Sequence, residues 1–166
     1  MANNILAAQF LKELEAEAPA SRKCLERIPE NLFTWKPHEK SMEMGYLALI
    51  VAEIPRWITT MVEDSEINFG TFKHEQPKTT ADLVKQFDDG MAHAREVLAK
   101  VSDETLGEMF YLKNKEVVLM SMPKKDNIGP TIRHMVHHRG QLTVYMRLNN
   151  IAVPSIYGPS ADDKSF

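Results

Sequence analysis

Cysteine is almost missing from this chain: among 166 residues there is only Cys24. A disulfide within the chain is excluded, and so is a zinc site built on several thiolates. Any metal would rest mainly on histidine, aspartate, glutamate and water. Cys24 lies in a helical stretch and reads as a packed thiol. Long apolar runs are also missing. No segment approaches the roughly 20 apolar residues that a membrane span needs, and Met1 to Phe10 shows no basic stretch leading into an apolar one. We expect a cytoplasmic protein with no membrane partner. An excess of positive charge is missing as well. Lys and Arg total 20 against 23 Asp and Glu, a net charge of -3, which gives no support to a broad nucleic-acid surface. No phosphate-cradling glycine loop, dinucleotide fingerprint or Ser-His-Asp arrangement is visible.

What is present fits one soluble domain over residues 1–166. Hydrophobic residues make up 43% and charged residues 26%, an ordinary globular balance. The ten Met residues suit irregular core gaps and adaptable contact surfaces.

Helical periodicity dominates. It predicts a first helix from about Asn3 to Ile28, with Phe10, Leu14, Leu25 and Ile28 on one face. Pro19 should kink or split it and Pro29 should end it. A second helix is expected from Ser41 or Met42 to Glu63, with Ser41 as its N-cap. Leu47, Ile50, Val51, Ile54, Trp57, Ile58 and Met61 form its apolar stripe, and Pro55 should kink it. Thr79, with Asp82 three residues on, opens a third helix through a capping box. Val84, Phe87, Met91, Ala94, Leu98 and Val101 give that helix a seam for packing against neighbours. Between Glu108 and Met122, apolar residues flank Lys113-Asn114-Lys115, as in a short hairpin. A fourth helix is expected from Asn127 to Asn149, with Pro130 in its first turn. The fold class expected is all-α, a four-helix bundle with a short hairpin between the third and fourth helices.

The fourth helix has two different faces. At about 100° per residue, Ile132, Met135, Val136, Thr143 and Met146 form a core stripe. His134, His138, Gln141 and Tyr145 cluster nearly opposite. That second face is polar but poor in charge, so it is expected to meet something other than water, such as a second copy in a twofold dimer. His134 and His138 are one turn apart, a spacing that two ligands of one metal need and that structural histidines also show. Met135 follows His134, so this is not the H-E-x-x-H motif. His137 points about 100° away from His138. Arg139 points away from the histidines and reads as a structural or interface salt-bridge residue.

The run from His134 to Leu148, containing H-H-R-G-Q, resembles the last helix of the DinB family. Val153-Pro-Ser-Ile-Tyr-Gly-Pro-Ser160 resembles the segment that follows it there. Upstream, Trp35-Lys-Pro-His38, Gly45-Tyr-Leu-Ala48 and Glu53-Ile-Pro-Arg-Trp57 resemble the family's first loop and second helix. The resemblance spans nearly the whole chain. It implies an up-down-down-up bundle, usually dimeric, whose pocket holds a divalent metal (zinc, nickel or manganese) on three histidines. His134 and His138 match two of them. Ile50 occupies the usual position of the third, on the second helix, so the site is incomplete. Glu53 is a candidate third ligand or a salt-bridge partner of Arg56, and His38, His74 and His93 could also supply a ligand through folding. Gln141 and Tyr145 would orient the imidazoles or a substrate, or bond between helices.

By resemblance, two functions stand side by side. One is a metal-dependent, thiol-dependent transferase or hydrolase acting on a small molecule, with the metal activating a bound thiol or water. The other is a metal-free binding or stress-response dimer.

Overall fold

A computed structural model describes Asn4–Ser165. Four long helices form its frame: α1 (Ile5–Leu25), α2 (Met44–Glu63), α3 (Thr80–Lys100) and α5 (Lys124–Leu148). A short helix, α4 (Asp103–Gly107), precedes a hairpin of β2 (Met109–Asn114) and β3 (Val117–Pro123), and a three-residue strand, β1 (Glu66–Asn68), follows α2. The hairpin lies where it is expected, but the all-α class needs correction. β1 pairs in parallel with β2, which pairs antiparallel with β3, giving a three-stranded sheet. Among the described residues no helix is long and apolar enough to cross a membrane.

Side-chain contacts give the directions of the helices. Arg22 pairs with Asp88 and Glu15 with Arg95, so α1 and α3 are antiparallel. Glu63 meets His93 and Pro55 meets Gly90, so α2 and α3 run parallel. Met61 meets Asn127 and Trp57 meets His134, so α5 is antiparallel to α2. Both faces of α2 are consumed by this packing. Leu47, Ile50, Val51, Ile54, Ile58 and Met61 are buried between α3 and α5.

Helix ends depart from expectation where the backbone supplies what a side chain might have. α2 begins at Met44 after Glu43, not at Ser41, and has no side-chain cap. Its first amides donate instead to loop carbonyls, Met44 N to Trp35 O at 2.8 Å and Gly45 N to Phe33 O at 2.8 Å. α5 leaves β3 directly at Lys124, so Pro130 lies inside the helix and not in its first turn. Pro19 does not split α1, and α2 continues through Pro55. The expected start at Asn3 lies outside the described residues. Thr79 and Asp82 form the expected capping box of α3.

A Cβ on Gly45 would stand 2.8 Å from the Phe33 Cβ and 3.0 Å from the Phe33 carbonyl oxygen. Gly45→Ala must separate the loop from α2, breaking the contact that replaces a cap. We expect a loss of about 1–3 kcal/mol, read from urea unfolding.

Cys24 is fully buried, and burial pushes its thiol up to about 11. The reactive species is the thiolate. The native protein should therefore be inert to aromatic disulfide reagents at neutral pH. In denaturant, one equivalent of thiol per chain should react.

Candidate functional site

The sheet does not cap the bundle symmetrically. It leans over the α2–α5 groove and helps line a partly open cavity of about 270 Å³. Trp57 and Met61 of α2 form one wall, and Asn127, Thr131 and His134 of α5 another. The remainder comes from Ile67, Phe110, Leu112 and Met120 of the sheet and from Phe69, Phe72 and His74 of the following loop. Most of these side chains are apolar, so the few polar groups stand out. The Asn68 amide ties this loop to the hairpin turn, since Oδ1 accepts from Gly70 N and Lys115 N while Nδ2 donates to Lys115 O.

His134 is exposed at the edge of the cavity, and His138 is buried beside it. Their Nε2 atoms are 2.7 Å apart, and His138 Nδ1 lies 2.8 Å from Gln141 Oε1. The amide oxygen accepts only, so His138 carries its proton on Nδ1, and its Nε2 accepts from His134 Nε2–H. Burial lowers the affinity of both rings for a further proton; neighbouring histidines lower it too, and the Gln141 bond opposes the shift at His138. The pair is a neutral, hydrogen-bonded relay.

The other expected residues are placed differently. Glu53 is buried, and its carboxylate is taken up by partners other than the pair. It takes a 2.6 Å bond from His74 Nδ1 and a 3.2 Å bond from Glu75 N, with the Arg56 guanidinium 3.9 Å away. Tyr145 donates to the Met42 carbonyl at 3.3 Å and stacks edge-on against Trp35. His93 is exposed and pairs with Glu63, and His38 is exposed, its Nδ1 accepting from Lys40 N. Ile50 is buried in the core. The antiparallel register that sets Met61 beside Asn127 and Trp57 beside His134 puts Ile50 level with His138.

Two residues of the site carried weaker sequence signals. His74 lies in an irregular loop, and nothing in its spacing to Glu53 announces their pairing. Trp57 reads as one more member of an apolar stripe, yet its indole Nε1 is buried with no hydrogen-bond partner.

Arg139, in the same helix, is almost fully buried. It donates to the Glu17 carboxylate at 2.6 Å, the Glu17 carbonyl at 3.1 Å, Ser21 Oγ at 3.2 Å and the Tyr157 hydroxyl at 2.9 Å. It therefore joins α5 to α1 and to the C-terminal tail.

The DinB family model matches residues 1–165. The chain belongs to the DinB family. Protein YrdA of Bacillus subtilis, an uncharacterized protein, is 27% identical over 159 residues, covering 93% of this chain and 89% of its own. Two DinB-like crystal structures share the fold. One, from Bacillus cereus, has a TM-score of 0.71 at 21% identity, covering 95% of this chain and 100% of that one. The other, YjoA from Bacillus subtilis, has a TM-score of 0.68 at 16% identity, covering 95% and 99%. The Arg139–Tyr157 bond gives a physical reason why the H-H-R-G-Q run and the Y-G-P-S tail of this DinB chain occur together.

The residues present do not fit the three-histidine metal site that the family resemblance implies. Ile50 has no donor atom, and Glu53 is committed to His74. Among the described residues no group of three His, Cys, Asp or Glu side chains could hold an ion. A tetrahedral ion with ligands at about 2.0–2.1 Å needs its nitrogens more than 3 Å apart, whereas the two Nε2 atoms share a proton at 2.7 Å.

The relay sets a pH dependence. Unfolded imidazoles take up protons near their ordinary value of about 6.5, while the folded pair resists until lower pH. The unfolded state then binds more protons, so folding stability is full above that value and falls as pH drops below it. Urea midpoints measured between neutral and mildly acidic pH should fall, and the slope should flatten in His134→Gln/His138→Gln.

Proposed function

We propose that this DinB-family chain binds a small, largely apolar molecule in the α2–α5–sheet cavity and acts on it without a divalent ion. The observation that carries this reading is the cavity itself: a partly open, largely apolar pocket with few polar groups, the usual form of a small-molecule site. Its volume falls below the ~300–1,000 Å³ usual for drug-sized ligands, which favours a compact ligand. The two-imidazole donor set supports metal independence.

Two measurements test the proposal. Metal content after exposure of untagged protein to zinc, nickel and manganese should stay far below stoichiometric. In proton–nitrogen NMR spectra, small apolar ketones such as acetophenone should move the Trp57 indole resonance and leave that of Trp35 in place. Stoichiometric metal that disappears in His134→Ala would restore the metal-dependent reading. A silent Trp57 resonance across the ligand series would remove the cavity as the binding site.

A further inference from the structure

The cavity holds a second imidazole, and its surroundings differ from those of the relay. His74 is about one-third exposed, while the carboxylate beneath it is fully buried. Glu53 is held in place from two sides, by Glu75 N and by the fixed backbone of α2. An ionised carboxylate only accepts, so it sets the proton of neutral His74 on Nδ1. The lone pair is then on Nε2, the nitrogen left to meet a molecule in the cavity that His74 lines. A carboxylate behind an imidazole, fixing its tautomer and stabilising the imidazolium as it forms, is the arrangement of a general base.

One donor of a residue that lines the cavity lacks a good acceptor. Asn127 Nδ2 meets only the Met61 thioether sulfur, at 3.7 Å, a weak acceptor. A carbonyl oxygen would satisfy it. A lone-pair base, an under-used N–H donor and a largely apolar wall together favour one chemistry over hydrolysis.

We propose that His74 is a catalytic general base that removes a proton α to the carbonyl of a small apolar ketone, with Glu53 as its positioning residue. This rests on the cavity being the binding site. In the step, the α-carbon–hydrogen bond breaks and a nitrogen–hydrogen bond forms at His74 Nε2. The electron pair moves through the carbon–carbon bond onto the carbonyl oxygen, where Asn127 donates. Return of the proton to the same or the conjugate carbon regenerates neutral His74 and completes an exchange or a tautomerisation. No other reactant is consumed.

The test follows proton–deuterium exchange of acetophenone, cyclohexanone and phenylacetone by NMR in heavy water, with the full-length protein. The native protein should exchange α-protons of at least one ketone faster than buffer alone. His74→Ala should lower the rate about 100-fold or more, and added imidazole should restore part of it. Glu53→Gln should keep ligand binding, read at the Trp57 indole, while exchange falls at least ~10-fold, because the amide donates to Nδ1 and moves the ring proton to Nε2. Glu53→Gln keeps the shape of the side chain, so it remains informative if His74→Ala folds poorly. Exchange no faster than buffer, or unchanged in either variant, overturns the proposal. If the Trp57 resonance still moves in that case, the binding site stands and only its chemistry is lost. If it does not, both fall together.

Discussion

Ile50→His should convert this chain into a zinc-binding protein. The substitution puts an imidazole on α2 level with His138, at the family position where the resemblance places the third ligand. A third imidazole would also draw the His134–His138 pair out of its shared proton. Two opposed effects are expected. Without metal, the new imidazole replaces a buried Ile, which is 5% exposed, and leaves a polar ring in apolar surroundings at a cost of about 1–3 kcal/mol. With zinc at about 100 times its dissociation constant, binding to the native state adds about 2.7 kcal/mol, which raises Tm by about 5–10 °C for a chain of this size. The variant should melt below the parent in chelator and regain or exceed its Tm in zinc, while the parent is indifferent to both. Calorimetric titration should give one site, lost again in His138→Ala. A variant that takes up no zinc would show that Ile50 is not placed to complete the site.

Arg139→Ala should be among the most destabilising single changes in the chain. The guanidinium is 1% exposed and makes four hydrogen bonds to three residues. Truncation leaves the largely buried Glu17 carboxylate without its cation, with only the Tyr157 hydroxyl still donating to it, and takes one donor each from the Glu17 carbonyl and Ser21 Oγ. Removing one partner of a buried pair costs about 3–5 kcal/mol, so Tm should fall by about 6–20 °C. Arg139→Lys should recover little, because a single ammonium cannot reproduce the planar fork. Tyr157→Phe removes a hydroxyl that accepts from Arg139 and donates to Glu17 but leaves their ion pair in place, and it should cost far less, which separates the helix-to-helix ion pair from the anchoring of the tail. Thermal melts monitored by circular dichroism check the order.

The features legible in the chain were those encoded locally. The α3 capping box depends on Thr79 and Asp82 alone, and the α3 seam on a repeat within one helix. The expectation that Arg139 points away from the histidines and makes a salt bridge follows from the helical wheel, and Glu17 is the partner it finds. Features that depend on distant partners were not legible. β1 is three residues long and has no periodicity to detect; it exists because β2 pairs with it. The same holds for Glu53, whose helix position admits a metal ligand or a partner for Arg56, while His74, the residue that takes its carboxylate, arrives on an irregular loop. Ser41 was a sound cap by composition, but the carbonyls of Phe33 and Trp35 reach the amides of α2 first.

The parallel pairing of β1 with β2 has a kinetic consequence. The strands lie on opposite sides of α3 in the chain, so their pairing must wait until α3 has been placed, and closing so long a loop is slow. Contacts between helices consecutive in the chain, such as α2 with α3, can form earlier. The wall of the cavity, which also needs α5 seated against α2, should therefore fold late. It should also be the first to open from the native state, since short edge pairings exchange through local fluctuations and not global unfolding. The amides of Tyr111 and Phe69, which donate across that seam to Ser65 and Lys113, should exchange with solvent well before those of α2. A compact ligand would then enter through a door that the order of folding leaves unlatched.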